Sequence, residues 1–222
     1  LCSELSSFPV ASAVTASSAV PVVFHPLVLE NRIGCSPRAE TFLKGLKTRA
    51  ADSPQLSQVV DGLNSYAHKQ QRRYIHLVDG GITDNLGLLA IYEMIELAGG
   101  ARNLLNSFGG APTERFIVIS VNASTSPQYG MELSSAAPSM ADTINLVTDV
   151  QLHRTNAATM VLLKDSVERW ATDLSRPGRA VEPYFVEIDF KSIPQAARKR
   201  FLNQIPTSFS LKKEQVDELI AV

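Results

Sequence analysis

Residues 74–87 read YIHLVDGGITDNLG, and this stretch decides how the chain is built. Tyr74 to Val78 is a short run of β-type residues that ends at Asp79-Gly80-Gly81. Leu86 to Ala98 then repeats apolar residues at helical spacing and is closed by Gly99-Gly100. In α/β proteins, ligands bind beyond the carboxyl ends of strands. Asp79, directly after a predicted strand, is therefore a candidate for chemistry.

The rest of the chain continues this alternation of strands and helices. Small residues from Val10 to Ala19 predict a helix that stops before Pro21. Phe116 to Val121 predicts a central strand, and Tyr184 to Phe190 predicts a strand nearer an edge. Further helices are predicted at residues 38–50, 53–70, 139–174 with breaks allowed, 194–203 and 210–222. The predicted fold class is α/β, with a mostly parallel sheet and flanking helices.

Composition excludes several classes of protein. The chain has 222 residues, of which 45% are hydrophobic, and its formal net charge is -1. These values are typical of a globular α/β domain, and they give no reason to expect a nucleic-acid partner. The basic cluster from Lys69 to Arg73 has no interleaved aromatic residue and predicts a solvated helix end. Val10 to Leu29 is interrupted by prolines and does not meet the length criterion for a membrane span.

Neither a metal nor a cofactor is expected. Cys2 and Cys35 are too few for a disulfide framework or a metal site, although they could form one bridge in an oxidising compartment. The four histidines show no metal-ligand spacing. The chain also contains neither a phosphate-binding P-loop nor a dinucleotide-binding fingerprint.

From the residues alone, Asp79 has two interpretations. As a general base it needs a nucleophile within hydrogen-bond reach, with Gly80 and Gly81 allowing positive φ and close approach. Alternatively, it only makes an Asp-Gly turn, and Asp84 or Asn85 caps the next helix. The chain has no Gly-x-Ser-x-Gly sequence that would provide the nucleophile.

Two segments together resemble the patatin-like phospholipases, a family of lipid acyl hydrolases. Residues 10–26 read VASAVTASSAVPVVFHP and are similar to the family's Ala-Ser-Ser-Ala-x-Pro-x-x-Phe-x-Pro block. Residues 76–88 read HLVDGGITDNLGL and resemble its Asp-Gly-Gly block with a trailing Asn. The resemblance covers residues 5–90 well and the rest of the chain more loosely.

The resemblance implies an ester hydrolase with a Ser-Asp dyad, in which Asp79 is the base and no histidine takes part. It implies that residues 1–222 are the C-terminal portion of a single patatin-like catalytic domain of three layers. The nucleophilic serine would then lie in the N-terminal half of the same protein, and this chain alone would be inactive.

The resemblance also suggests roles for the residues around Asp79. Gly80 and Gly81 would keep the space beside the carboxylate clear. Asn85 either fixes the Asp79 loop or is a plain helix cap. Pro21 and Phe24 would shape an apolar acyl channel, and lipid or acyl-ester substrates suggest a peripheral membrane contact.

Two other interpretations stay open at this point. A non-catalytic lipid-binding or interaction module would keep the fold without the nucleophile, and an unrelated α/β domain would use Asp79 only as a turn. The compartment is open as well. An envelope or secreted location is favoured over the cytoplasm because it fits a lipid substrate and a bridge between Cys2 and Cys35.

Overall fold

The computed structural model describes residues 5–21, 24–34, 37–125, 131–206, 208 and 210–222. Cys2 and Cys35 lie outside the described residues. The described residues form a mixed α/β fold. The strands are β1 (Leu27–Glu30), β2 (Tyr74–Leu77), β3 (Arg115–Asn122) and β4 (Glu182–Asp189). The helices are α1 (Val10–Ser17), α2 (Pro37–Ala50), α3 (Pro54–Ser65), α4 (Gly81–Asp84), α5 (Leu88–Leu97), α6 (Ala101–Ser107), α7 (Met140–Leu174), α8 (Ala196–Asn203) and α9 (Lys213–Ile220).

The strands form two separate pairs. β3 and β4 are parallel along their whole length, from Arg115 opposite Glu182 to Asn122 opposite Asp189. β1 and β2 are antiparallel, with Leu27 opposite Leu77. The prediction of a mostly parallel sheet is therefore correct for β3 and β4 and wrong for β2. The reason is that residues 27–30, which the sequence analysis did not recognise as a strand, run back beside β2.

Asn31 closes the base of the segment between these two strands. Its backbone N–H donates to the Arg73 carbonyl at 2.9 Å, and its side-chain amide donates to the carbonyls of Tyr66 (2.9 Å) and Arg72 (2.8 Å). Lys69 Nζ donates to Asn31 Oδ1 at 2.6 Å. These bonds hold residues 66–72 in a turn, so α3 ends at Ser65 instead of continuing to residue 70 as predicted. We call residues 32–72 the α2–α3 lobe.

α7 is the central element of the core. It runs without a break for 35 residues, and Ser139 caps it by accepting the Asp142 N–H at 3.1 Å. One face of α7 packs on the β3–β4 pair and on the helices α4, α5 and α6. Its buried side chains there are Met160, Leu163, Val167 and Trp170. Trp170 stacks edge-on against Phe116 of β3 and donates its indole N–H to Glu96 of α5.

The opposite face of the β3–β4 pair is bare. Its exposed side chains alternate with the buried ones along each strand, as the pleat requires. Six of the exposed side chains form three cross-strand pairs: Ile117 with Tyr184, Ile119 with Val186, and Val121 with Ile188. We call these six residues the bare sheet face. Within the described residues, no helix combines the length and the apolar character needed to cross a bilayer.

Candidate functional site

The two sequence segments that drew attention to Asp79 are in direct contact. The Asp79 backbone N–H donates to the Ala19 carbonyl at 3.0 Å, and the Gly80 N–H donates to the Ser17 carbonyl at 3.4 Å. Ala19 is only 2% exposed, so the end of the α1 segment is packed firmly beside the strand end. Residues 60 positions apart in the sequence thus hold the backbone of Asp79 at the carboxyl end of β2.

The Asp79 carboxylate is fixed from its other side as well. Its Oδ1 atom accepts the Gly81 N–H at 2.7 Å, a short charge-assisted bond across two residues. The side chain is half-buried and follows β2 by two residues. The bond from Gly81 therefore gives the carboxylate a defined orientation.

Gly81 is required by space and not by backbone conformation. A Cβ atom there would lie 2.8 Å from Asp79 Oδ1 and 3.2 Å from Asn85 Oδ1, which is too close for the first contact. Gly80 has a φ of -64°, and neither glycine lies in the positive-φ region. The expectation that this pair supplies positive φ is wrong, because the chain enters α4 directly. That Gly80 and Gly81 keep the space beside the carboxylate clear stays a prediction; a Cβ atom at Gly80 would make only an ordinary contact, 3.6 Å from Ser17 Oγ.

Asp84, and not Asn85, caps the following helix. Its two carboxylate oxygens accept the N–H groups of Leu89 (3.1 Å) and Ala90 (2.9 Å) at the start of α5. Gly87, at φ +67°, makes the turn that brings these groups within reach. The cap interpretation is thus correct for Asp84, and it leaves the side chain of Asn85 available for another role.

The Asn85 side chain lies between the Asp79 loop and the end of β3. Its Oδ1 atom faces Gly81, where it would lie 3.2 Å from the Cβ atom of any side chain placed at that position. Its Nδ2 atom donates to Ser124 Oγ at 3.4 Å. Ser124 Oγ also accepts the side-chain N–H of Asn156 of α7 at 3.1 Å. Asn85 is therefore linked both to the Asp79 loop and to the core helix.

Ser124 and Asn156 were not identified from the sequence. The usable signal for Ser124 was its position, because it follows the carboxyl end of a buried strand, where ligand-binding residues gather. Asn156 carries no such signal, since it is one amide within a long helix.

Pro21 and Phe24 lie on the other side of the α1 segment. The Phe24 N–H donates to the Val20 carbonyl at 2.8 Å, which turns the chain toward β1. Phe24 is 47% exposed and Pro21 is also exposed. The described residues do not enclose these two side chains and form no channel around them, so the predicted acyl channel stays a prediction. Residues 22 and 23, which complete the apolar run, lie outside the described residues.

Charge near the site is acidic. Burial raises the pKa of Glu93 on α5, and the nearby Asp84 carboxylate raises it further. His153 of α7 is engaged away from Asp79: its Nε2 atom lies 3.1 Å from the Thr125 carbonyl oxygen and 3.6 Å from Asp149 Oδ1. Within the described part of the chain, no three potential ligand side chains gather to hold a metal ion.

Two cavities in the fold are separate from Asp79. One lies between α6 and the turn after α7, and Arg102, Arg176 and Arg179 contribute to its lining. The other lies between α8 and α9 beside Phe201. Asp79 lines neither of them; the candidate site consists of the end of β2, Gly80, Gly81 and the neighbouring Asn85 side chain.

No protein-family model, curated protein or solved structure matches this chain.

Proposed function

We propose that this chain supplies the aspartate of a Ser-Asp dyad in a lipid acyl hydrolase that resembles the patatin-like phospholipases. The observation that carries the proposal is the hydrogen bond from the Asp79 N–H to the Ala19 carbonyl. It joins the two segments on which the resemblance rests. A catalytic carboxylate must be held in one orientation, and this bond fixes the backbone that carries it.

Asp79 acts as the general base in this mechanism. The serine hydroxyl attacks the ester carbonyl and transfers its proton to the Asp79 carboxylate, which gives that proton to the alcohol oxygen as the ester C–O bond breaks. Water then attacks the acyl-enzyme and gives a proton to the same carboxylate. Asp79 passes this proton to the serine oxygen as the acyl C–O bond breaks, which releases the acid and regenerates the serine. The Gly81 N–H binds the first carboxylate oxygen, Oδ1, so the second oxygen is the one that takes the proton in this mechanism.

The nucleophile comes from outside these residues. We propose that residues 1–222 are the C-terminal portion of a single three-layer catalytic domain, whose N-terminal half carries the serine. The exposed surface supports this: the chain exposes 15,556 Å², whereas a compact monomer of this mass exposes roughly 10,000 Å². Parallel strands are normally covered on both faces, and the bare sheet face is not. This chain alone is then inactive toward esters.

A peripheral membrane contact would suit a lipid substrate. On α1, Val10 and Val14 are one helical turn apart and are 78% and 59% exposed. The same helix contains no charged residue and ends where Ser17 binds Gly80. An apolar, uncharged helix face next to Asp79 could rest on the surface from which the substrate is taken.

The first experiment is ester hydrolysis on a short-chain chromogenic acyl ester by the full-length gene product. We expect the Asp79→Asn variant to lose about 100-fold or more in kcat, because an amide cannot accept the serine proton. Asp61→Asn is the matched control, since Asp61 is exposed and pairs only with Lys47 across 3.8 Å. Equal activity of Asp79→Asn and the parent would refute the assignment. No activity in the folded parent would favour the non-catalytic lipid-binding module.

A further inference from the structure

A row of polar side chains connects the Asp79 loop to the core through the end of β3. Asn85 and Asn156 both donate side-chain N–H groups to Ser124 Oγ, at 3.4 and 3.1 Å. The backbone N–H of Ser124 in turn donates to Asn122 Oδ1 at 3.0 Å, which fixes the loop that carries the hydroxyl. A hydroxyl oxygen has two lone pairs, so both of its acceptor positions are occupied.

The core end of this row is rigid. Asn156 is 6% exposed and lies one turn before Met160, which is part of the core cluster. A buried amide that loses its acceptor costs the free energy of an unmade hydrogen bond, so the Asn156 side chain keeps Ser124 in place. Ser124 is consequently a fixed acceptor and does not simply follow the loop.

The other end of the row faces Asp79. Asn85 is exposed, and its side-chain amide has two orientations that exchange the positions of Oδ1 and Nδ2 by a rotation of about 180°. Because Nδ2 donates to Ser124, the Oδ1 atom is the one that faces Gly81 and the carboxylate side of the loop. With the amide reversed, the NH₂ group would face Gly81 beside Asp79 Oδ1, since both side-chain oxygens lie close to the same point at Gly81. A further donor to that carboxylate would stabilise its charged form and make it a weaker base.

We infer that Ser124 is a positioning residue for Asp79: it holds the Asn85 amide so that its carbonyl oxygen, and not its NH₂ group, faces the Asp79 loop. This inference rests on the proposed function only for its catalytic consequence. The orientation itself can be measured whether or not the protein hydrolyses esters.

The kinetic test uses the full-length gene product. We expect Ser124→Ala to lower kcat on the order of 10-fold with KM changed by less than about 2-fold, because the base is misdirected while substrate binding is not. Ser124→Thr keeps the hydroxyl and should restore the parent rate. Ser107→Ala, which removes an exposed serine hydroxyl elsewhere, is the matched control and should equal the parent.

A double variant tests the route through Asn85. If Ser124 acts through that amide, Ser124→Ala adds no further loss in a protein that already carries Asn85→Ala. Asn85 is exposed, so its variant keeps the fold and the comparison holds even where Ser124→Ala lowers stability. Full additivity of the two losses, or a Ser124→Ala variant as active as the parent, would overturn the inference.

Amide hydrogen exchange at Gly81 separates this inference from the proposed function. The Gly81 N–H donates to Asp79 Oδ1, so a second donor on that carboxylate should loosen it. We expect faster exchange at Gly81 in Ser124→Ala than in Ser124→Thr or the parent. Equal exchange in all three would overturn the inference, whereas a parent that exchanges as expected but hydrolyses no ester would refute only the proposed function.

Discussion

At the scale of single residues, the Asp79 site is held together by short-range bonds to backbone N–H groups. Asp79 binds the N–H of Gly81, and Asp84 binds those of Leu89 and Ala90. Both carboxylates thus orient the chain around them, although they are five residues apart and have different tasks. Asp79 closes the turn after β2 through one of its oxygens, and Asp84 caps the start of α5.

Glu93 allows a pH test of this acidic neighbourhood. Its pKa in the folded state is raised above the ordinary value of 4.5, first by burial and then by Asp84. Above the raised pKa the carboxyl is charged in both states, and the charge disfavours the folded one. Below about pH 4.5 it is protonated in both states, and this penalty disappears.

We therefore expect Glu93→Gln to raise the free energy of unfolding at pH 7, with a gain that shrinks as the pH falls and is absent at pH 4. Urea unfolding at the two pH values measures this difference, which corresponds to a Tm shift on the order of 1 °C at pH 7. Glu168→Gln, on the exposed side of α7, is the control. A gain from Glu93→Gln that is equal at both pH values would contradict the electrostatic explanation.

Residue-scale prediction succeeded where the signal was local. Asp79 after an apolar run, Gly99-Gly100 at a helix end and Ser139 before α7 each depend on their own neighbours, and the structure has the strand end, the break and the cap there. Ser124 and Asn156 could not be selected in this way, because their roles depend on which segments meet. The contact between Ala19 and Asp79 joins residues 60 positions apart and was not predicted either.

At the scale of elements, tertiary packing explains two differences from the sequence analysis. The first is β1, which is only four residues long and pairs with β2, a strand predicted to join a parallel sheet. Short strands carry little periodicity, so their direction is determined by tertiary pairing, here with β2 in antiparallel register. The second is α7. Its sequence pattern allowed breaks, but the helix packs on both β3 and β4 and is continuous.

The exposed face of α1 gives a prediction at this scale. We expect Val14→Asp to weaken co-sedimentation of the full-length protein with phosphatidylcholine vesicles by about 5-fold or more, because a charge on that face opposes insertion at an apolar boundary. Ile220→Asp is the matched control, since Ile220 is also exposed but lies on α9. Equal loss in both variants would indicate a general effect of charge and would contradict a contact through α1.

At the scale of the whole molecule, the two faces of the β3–β4 pair have opposite environments. Val118 is 9% exposed and packs toward α7, whereas its neighbour Ile119 is 60% exposed. The bare sheet face exposes on the order of 600 Å² of apolar side chain, at the upper end of what single-chain proteins expose. The bare sheet face is therefore the part of the fold whose burial depends most on whether another segment packs against it.

A pair of substitutions tests that difference in this chain. We expect Val118→Lys to lower the free energy of unfolding by about 3 kcal/mol or more, because it buries a charge in the core. Ile119→Lys should change it by less than about 0.5 kcal/mol. Thermal unfolding of the two variants measures both values. Comparable destabilisation would mean that the face is packed in solution.

The hydrogen bonds of Asn31 at the base of the α2–α3 lobe determine how a change in this lobe affects the rest of the fold. The two ends of the α2–α3 lobe meet at its base, where Asn31 binds the carbonyls of Tyr66, Arg72 and Arg73. Its inner side belongs to the same core cluster as α5, through Leu46, Ala50, Leu56 and Val60. Arg49 of α2 also donates to the Leu97 carbonyl at the end of α5. A change in the turn between α2 and α3 therefore reaches α5, the helix that Asp84 caps beside the Asp79 loop.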